Sequence, residues 1–197
     1  TLKMSNCSQL AAQLSVNACT KRVLDATISI VAPFYVLINN AGVQNTVDLA
    51  TYSGAAQIRQ ELDINLLAPI QLTAALLPQM QRPGGVIVNV TSLTSLHPKV
   101  SAPIYSASKA GLASYTRSLR HHLSPLGIRV IEAIPPLVDT EMTAGRGRGK
   151  LSPEEMADAI MKGIDSGSRT VAPALARRSL ILNRLIPELV SKMLASS

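Results

Sequence analysis

The chain has no tryptophan, one phenylalanine and four tyrosines among its 197 residues. Stacking platforms that hold single-stranded nucleic acid need more aromatic surface than this, so no nucleic-acid partner is expected. The core must come from Leu, Ile, Val, Ala and Met, in keeping with a 47% hydrophobic composition and an α/β or helical domain. Cysteine is scarce: Cys7 and Cys19 stand twelve positions apart, with no CxxC and no neighbouring histidine. That excludes a zinc site or a disulfide framework and suits a reducing, cytoplasmic compartment. No apolar run reaches the length of about 18 residues that spans a bilayer, and no charged segment leads into an apolar one. Neither a transmembrane span nor a signal peptide is read. Negative charge is the minority sign, 12 Asp and Glu against 19 Lys and Arg, for a net charge of +7. This permits attraction to polyanions, but a solvated basic surface is its simplest meaning.

What is present is an alternation. The runs FYVLINNAG (34–42), GGVIVNVTS (84–92) and GIRVIEAIPP (127–136) are aliphatic and stop abruptly at Asn, Gly, Thr, Ser or Pro. Parallel strands buried on both faces read this way. Between them lie stretches of helical periodicity, Ile58 to Met80 before RPGG and Tyr105 to Leu123 before SPLG. Strand, helix, strand, helix, strand predicts a doubly wound α/β fold with a parallel, Rossmann-like sheet. At this length it is one domain: a helical N-terminal segment (1–33), a core (34–165), and a C-terminal strand and helix extension (166–197). GRGRGK (145–150) fits neither a Walker spacing nor a strand-to-helix glycine turn and reads as a flexible loop. After it, Ser152, Pro153 and Glu155 form a capping box that starts a helix. RRSLILNRLIPELVSKML near the C-terminus reads as an amphipathic helix interrupted at Pro187, packed on its own domain rather than on a membrane.

Chemistry concentrates in IYSASKAG (104–111). On a helix, Tyr105 and Lys109 share one face. A tyrosine releases its proton near pH 10, too high for acid/base work at neutrality, and an adjacent ammonium favours the phenolate. The pair predicts a usable general acid or base. Ser92 stands thirteen residues earlier, at a strand end, on the sheet edge where open α/β proteins bind ligands. Upstream, another strand ends in Asn39, Asn40, Ala41 and Gly42, and Asn65 lies in the next helix within LDINLLAPI. His97, His121 and His122 have no partner spacing and are expected on the surface or in loops; Lys99 and Arg120 are read as solvated charges.

NNAG (39–42), Asn65, the VTS ending at Ser92, and YSASK (105–109), in this order, resemble the short-chain dehydrogenase/reductase family over about residues 30 to 165. The wording of YSASKAGLASYTRSLRHHL and IPPLVDTEM resembles its DltE-like branch. The resemblance implies an oxidoreductase moving hydride between NADP or NAD and a carbonyl or alcohol substrate. Tyr105 would serve as acid/base, Ser92 would hold the substrate oxygen, Lys109 would bind the nicotinamide ribose, and Asn65 would hold a relay water. Asn39, Ala41 and Gly42 would lie along the cofactor and steady the sheet, while Val138 and Thr140 would meet the nicotinamide carboxamide. It also implies a homo-oligomer paired through the two helices.

The family's opening strand and TGxxxGxG turn, on which the cofactor pyrophosphate rests, find no match here, and with them goes the residue that selects NAD or NADP. The expectation is an N-terminally truncated domain whose YVLI strand becomes an edge. Pro135 and Pro136 stand where many members have Pro-Gly, and no glycine-rich C-terminal end follows. Two readings compete: a reductase with an intact nicotinamide half-site, or an inactive relic that serves as an interaction protein.

Overall fold

Each of the three apolar runs becomes a strand, and a fourth, shorter strand joins them. The structure, a computed structural model, describes residues 33–45, 54–145, 147, 149–173 and 176–180. Strand β1 (Val36–Asn39) leads to helix α1 (Ala55–Leu62), a π-helical turn (Asp63–Leu67) and helix α2 (Ala68–Leu76). Next come β2 (Val86–Val90), the long helix α3 (Pro103–Leu123), β3 (Arg129–Ala133), α4 (Pro153–Asp165) and β4 (Thr170–Val171). All pairs are parallel, in the order β1, β2, β3, β4. The register sets Val36 beside Val86, Val86 beside Arg129 and Glu132 beside Thr170. The α/β prediction thus holds.

The alternation of side chains along the strands explains why both faces are covered. Val86, Val88, Val90, Ile131 and Ala133 point to one side and pack with Met156, Ile160 and Ile164 of α4. Ile87 and Val130 point to the other and pack with Leu119 and Leu123 of α3. Each fully buried aliphatic side chain contributes about 1.5–3 kcal/mol over its exposed state, so neither face can be stripped without losing the sheet. Among the described residues β1 pairs only with β2, and Tyr35 and Val36 lie exposed near its start.

Helix ends follow local chemistry. Pro103 starts α3, where its missing N–H is no loss, and Gly127 takes the left-handed conformation (φ 67°) that closes the turn after it. The capping box of α4 forms as the sequence predicts: Ser152 Oγ accepts from Glu155 N and Glu155 Oε2 accepts from Ser152 N.

Two expectations meet a different outcome, and a third holds with an addition. The helix read over 58–80 is interrupted by the π turn, where Ala68 N reaches back to Asp63 O, five residues away. Arg120 is not a solvated charge: its Nε donates to Val130 O and a terminal nitrogen to Arg169 O, lacing α3 to the end of the sheet. His97 lies in a loop but is buried, its Nε2 has no hydrogen-bond partner among the described residues, and burial lowers its pKa. No described helix is long and apolar enough to cross a membrane. The cysteines, the N-terminal segment before residue 33 and the C-terminal helix beyond residue 180 lie outside the described residues.

Candidate functional site

Helix α3 turns a buried face to the sheet through Leu112, Thr116, Leu119 and Leu123, and Lys109 continues that stripe one turn earlier. A lysine there is anomalous, because burial disfavours its charge. Lys109 is only 3% exposed, and desolvation lowers its pKa to about 8. Its Nζ donates to Val90 O, the last residue of β2, at 2.9 Å, and lies 5.8 Å from the centroid of the Tyr105 ring. The helical spacing thus brings tyrosine and lysine together at the C-terminal edge of the sheet.

The exit of β1 closes the other side. A Cβ on Gly42 would stand 3.2 Å from Asn65 Oδ1 and 3.3 Å from Lys109 Nζ, so glycine is what lets the chain pass between them. Asn65, fully buried in the π turn, reads that passing backbone in both directions. Its Oδ1 accepts from Val43 N at 2.8 Å and its Nδ2 donates to Val43 O at 2.8 Å. Nδ2 also donates to Ser108 Oγ at 3.1 Å, and Ser108 Oγ–H donates to Tyr105 O at 2.7 Å. Both amide donors of Asn65 are therefore engaged, and one acceptor position on Oδ1 remains. Ser108 was not a candidate in the sequence; its signal was only its place between Tyr105 and Lys109.

Ser92 sits two residues beyond β2 in extended conformation and starts a short turn, Leu93–Ser95. Its Oγ accepts from Thr94 N at 3.1 Å, which leaves the hydroxyl proton to be donated elsewhere. The loop that follows is tied to α3 where Lys99 N donates to Ser106 Oγ.

Asn39 belongs to the sheet rather than to the open edge. Buried, its Nδ2 donates to Asn89 Oδ1 at 2.7 Å and Thr73 Oγ1 at 3.3 Å, and Asn89 Nδ2 passes on to Thr116 Oγ1. That chain links β1, β2, α2 and α3. Ala41 is exposed at the strand exit. Val138 and Thr140 follow β3: Val138 pairs with Leu151 across the base of the glycine-rich loop, and Thr140 caps the turn Glu141–Thr143. Lys150 tightens that base, donating to Asp139 Oδ1 at 2.9 Å and Thr143 O at 2.8 Å. The structure thus joins Gly42, Asn65, Tyr105 and Lys109 in one constellation, and sets Ser92, Val138 and Thr140 after the ends of neighbouring strands.

Besides Ser108, Glu61 escaped the sequence reading. Glu61 is fully buried one helical turn before Asn65. Its spacing of four from Asn65 was the available signal. No group of three or more His, Cys, Asp or Glu among the described residues could hold a metal. A buried cation, Lys109, instead stands beside a glycine that has no side chain to crowd it.

Residues 4–150 match the family described as short chain dehydrogenase, a stretch that begins well before residue 30. The ketoacyl reductase HetN of Nostoc sp. is 33% identical over 179 residues, 83% of this chain and 62% of that protein. The uncharacterized oxidoreductase DltE of Bacillus subtilis is 34% identical over 147 residues, 69% of this chain and 57% of its own length. The chain therefore spans about three fifths of these relatives. A short chain dehydrogenase from Burkholderia cenocepacia, solved in complex with NADP, superposes with a TM-score of 0.79 at 25% identity, covering 92% of this chain and 76% of that one. One from Sphingobium yanoikuyae, in complex with NADPH, gives 0.74 at 29% identity, covering 91% and 73%. With the matched stretch taking in the whole Gly42, Asn65, Ser92, Tyr105 and Lys109 set, the chain belongs to the short-chain dehydrogenase family.

Proposed function

We propose that this chain is an oxidoreductase that interconverts a carbonyl and an alcohol with NADP(H) or NAD(H). The observation that carries the reading is Lys109: an ammonium buried on a core-facing stripe, beside Tyr105 and against Gly42. Burying a charge costs several kcal/mol, and no structural partner other than one carbonyl answers it among the described residues. A functional cation is the economical reading.

A bound nicotinamide supplies or accepts the hydride. In reduction, the Tyr105 hydroxyl would give its proton to the carbonyl oxygen of the substrate. Lys109 stabilises the negative charge developing on the phenol oxygen and, with the donors that Val90 does not take, binds the ribose hydroxyls. Ser92, whose oxygen lone pair is occupied by Thr94 N, directs its proton to the substrate oxygen. Asn65 fixes the backbone at Val43 and offers its remaining acceptor position to a water that would carry protons towards solvent. Ala41, Gly42 and the Asn39 backbone would flank the cofactor, with Val138 and Thr140 on the carboxamide side. The substrate is a small molecule, and the reading includes a homo-oligomer in the cytoplasm.

The test is a titration of the protein with NADPH and NADH followed by cofactor fluorescence, with Lys109→Ala alongside. Saturable binding that the substitution abolishes is the expected result. Absence of binding at millimolar cofactor would sink the reading and leave the interaction-protein alternative.

A further inference from the structure

The turn of helix that carries Asn65 also carries a carboxyl that the chemistry above does not use. Glu61 is 0% exposed. Its Oε2 accepts from Asn45 N at 3.3 Å, and its Oε1 has no hydrogen-bond partner among the described residues. Four residues on, Asn65 grips Val43 by both backbone groups. Residues 61 and 65 lie on one helix face and hold the same short segment, at 45 and at 43, immediately after Gly42, where an added Cβ would stand 3.3 Å from the Lys109 ammonium.

We propose that Glu61 is a positioning residue: its carboxyl clamps the backbone at Asn45 and, with Asn65, fixes the path of residues 42–45 past Lys109. No Lys, Arg or His forms an ion pair with it among the described residues, where Lys150 with Asp139 is the pair that forms. An ionised carboxylate in that setting would be buried without compensation. Burial raises the pKa of this carboxyl and so favours the neutral acid, whose carbonyl oxygen accepts from Asn45. A neutral clamp has a specific consequence: glutamine reproduces it, whereas a side chain of similar volume without an acceptor does not. The geometry stands by itself; the consequence for cofactor binding rests on the oxidoreductase reading.

Glu61→Met and Glu61→Gln in the full chain test this through hydrogen exchange and NADPH titration. In Glu61→Met the amides of residues 43–45 should exchange about tenfold faster while those of β2 and β3 keep their protection, and NADPH affinity should fall about tenfold. Glu61→Gln should hold both near the parent values. Unchanged exchange at 43–45 in Glu61→Met, or faster exchange spread over the whole sheet, would overturn the clamp. A Glu61→Gln variant that behaves like Glu61→Met would overturn its neutral form. If the parent binds neither NADPH nor NADH, the oxidoreductase reading falls, yet the exchange at Asn45 still decides the clamp.

Discussion

Lys109 and Tyr105 are the residues whose chemistry can be tested most directly. Tyr105→Phe removes one oxygen and leaves the helix face intact, so kcat should fall by about 10²–10⁴-fold with cofactor affinity held, measured by steady-state kinetics beside fluorescence titration. Lys109 makes a prediction about stability that needs no substrate. Its pKa is about 8 in the fold, below the ordinary lysine value of 10.5. Between these values the unfolded chain binds more protons than the native one, so this group's contribution rises with pH and its full cost is felt below pH 8. Lys109→Met should therefore gain stability relative to the parent at pH 7, and that gain should shrink by about 3 kcal/mol on going to pH 10.5. Denaturant midpoints at the two pH values check the sign; a gain that grows with pH would contradict it. In the sequence, the Tyr105 and Lys109 spacing was legible but the burial of the lysine was not, since helical periodicity shows which side chains share a face and not what that face meets.

At the scale of elements, the π turn decides where Asn65 lands. A regular helix through 58–80 would carry the side chains beyond Asp63 round by a different angle. The extra residue in the turn accompanies the contact of Asn65 with both Val43 and Ser108. Helix α3 fits closely against the same turn: a Cβ on Gly111 would lie 3.1 Å from Leu66 Cδ2. Asn65→Ala should cost roughly 2–4 kcal/mol by chemical denaturation, because it strands the part-buried N–H and C=O of Val43 as well as removing the bond to Ser108. Ser152→Ala, which breaks the cap of α4 far from Lys109, should cost about 1 kcal/mol and leave cofactor affinity untouched. The two variants separate a turn that serves the site from a cap that serves only the fold. The sequence signalled the cap, whose partners are three residues apart, and not the π turn, which packs against a helix distant in sequence.

For the whole molecule, four parallel strands in sequence order place the ends of β1, β2 and β3 along one edge, and the site residues come from that edge and the helices behind it. The strand β1 has one paired side among the described residues, with Tyr35 60% and Val36 41% exposed, so what covers that edge bears on solubility. The family reading pairs copies through α1, α2 and α3, and light scattering should return at least twice the mass of one chain. A monomeric mass at micromolar concentration would count against that pairing.

The sequence by itself determined three strands, the helix carrying Tyr105 and Lys109, and the cap at Ser152, since these follow from local periodicity, capping chemistry and spacing; Asn65 and Ser92 joined Tyr105 and Lys109 as a set only through the resemblance to the family. Only the tertiary structure decided that Lys109 is buried, that Asn39 braces the sheet from within, that Arg120 laces α3 to the strands, and that Glu61 joins Asn65 on one backbone segment. Each of these depends on partners distant along the chain, and burial and hydrogen bonding between such partners are fixed when the sheet closes and not before.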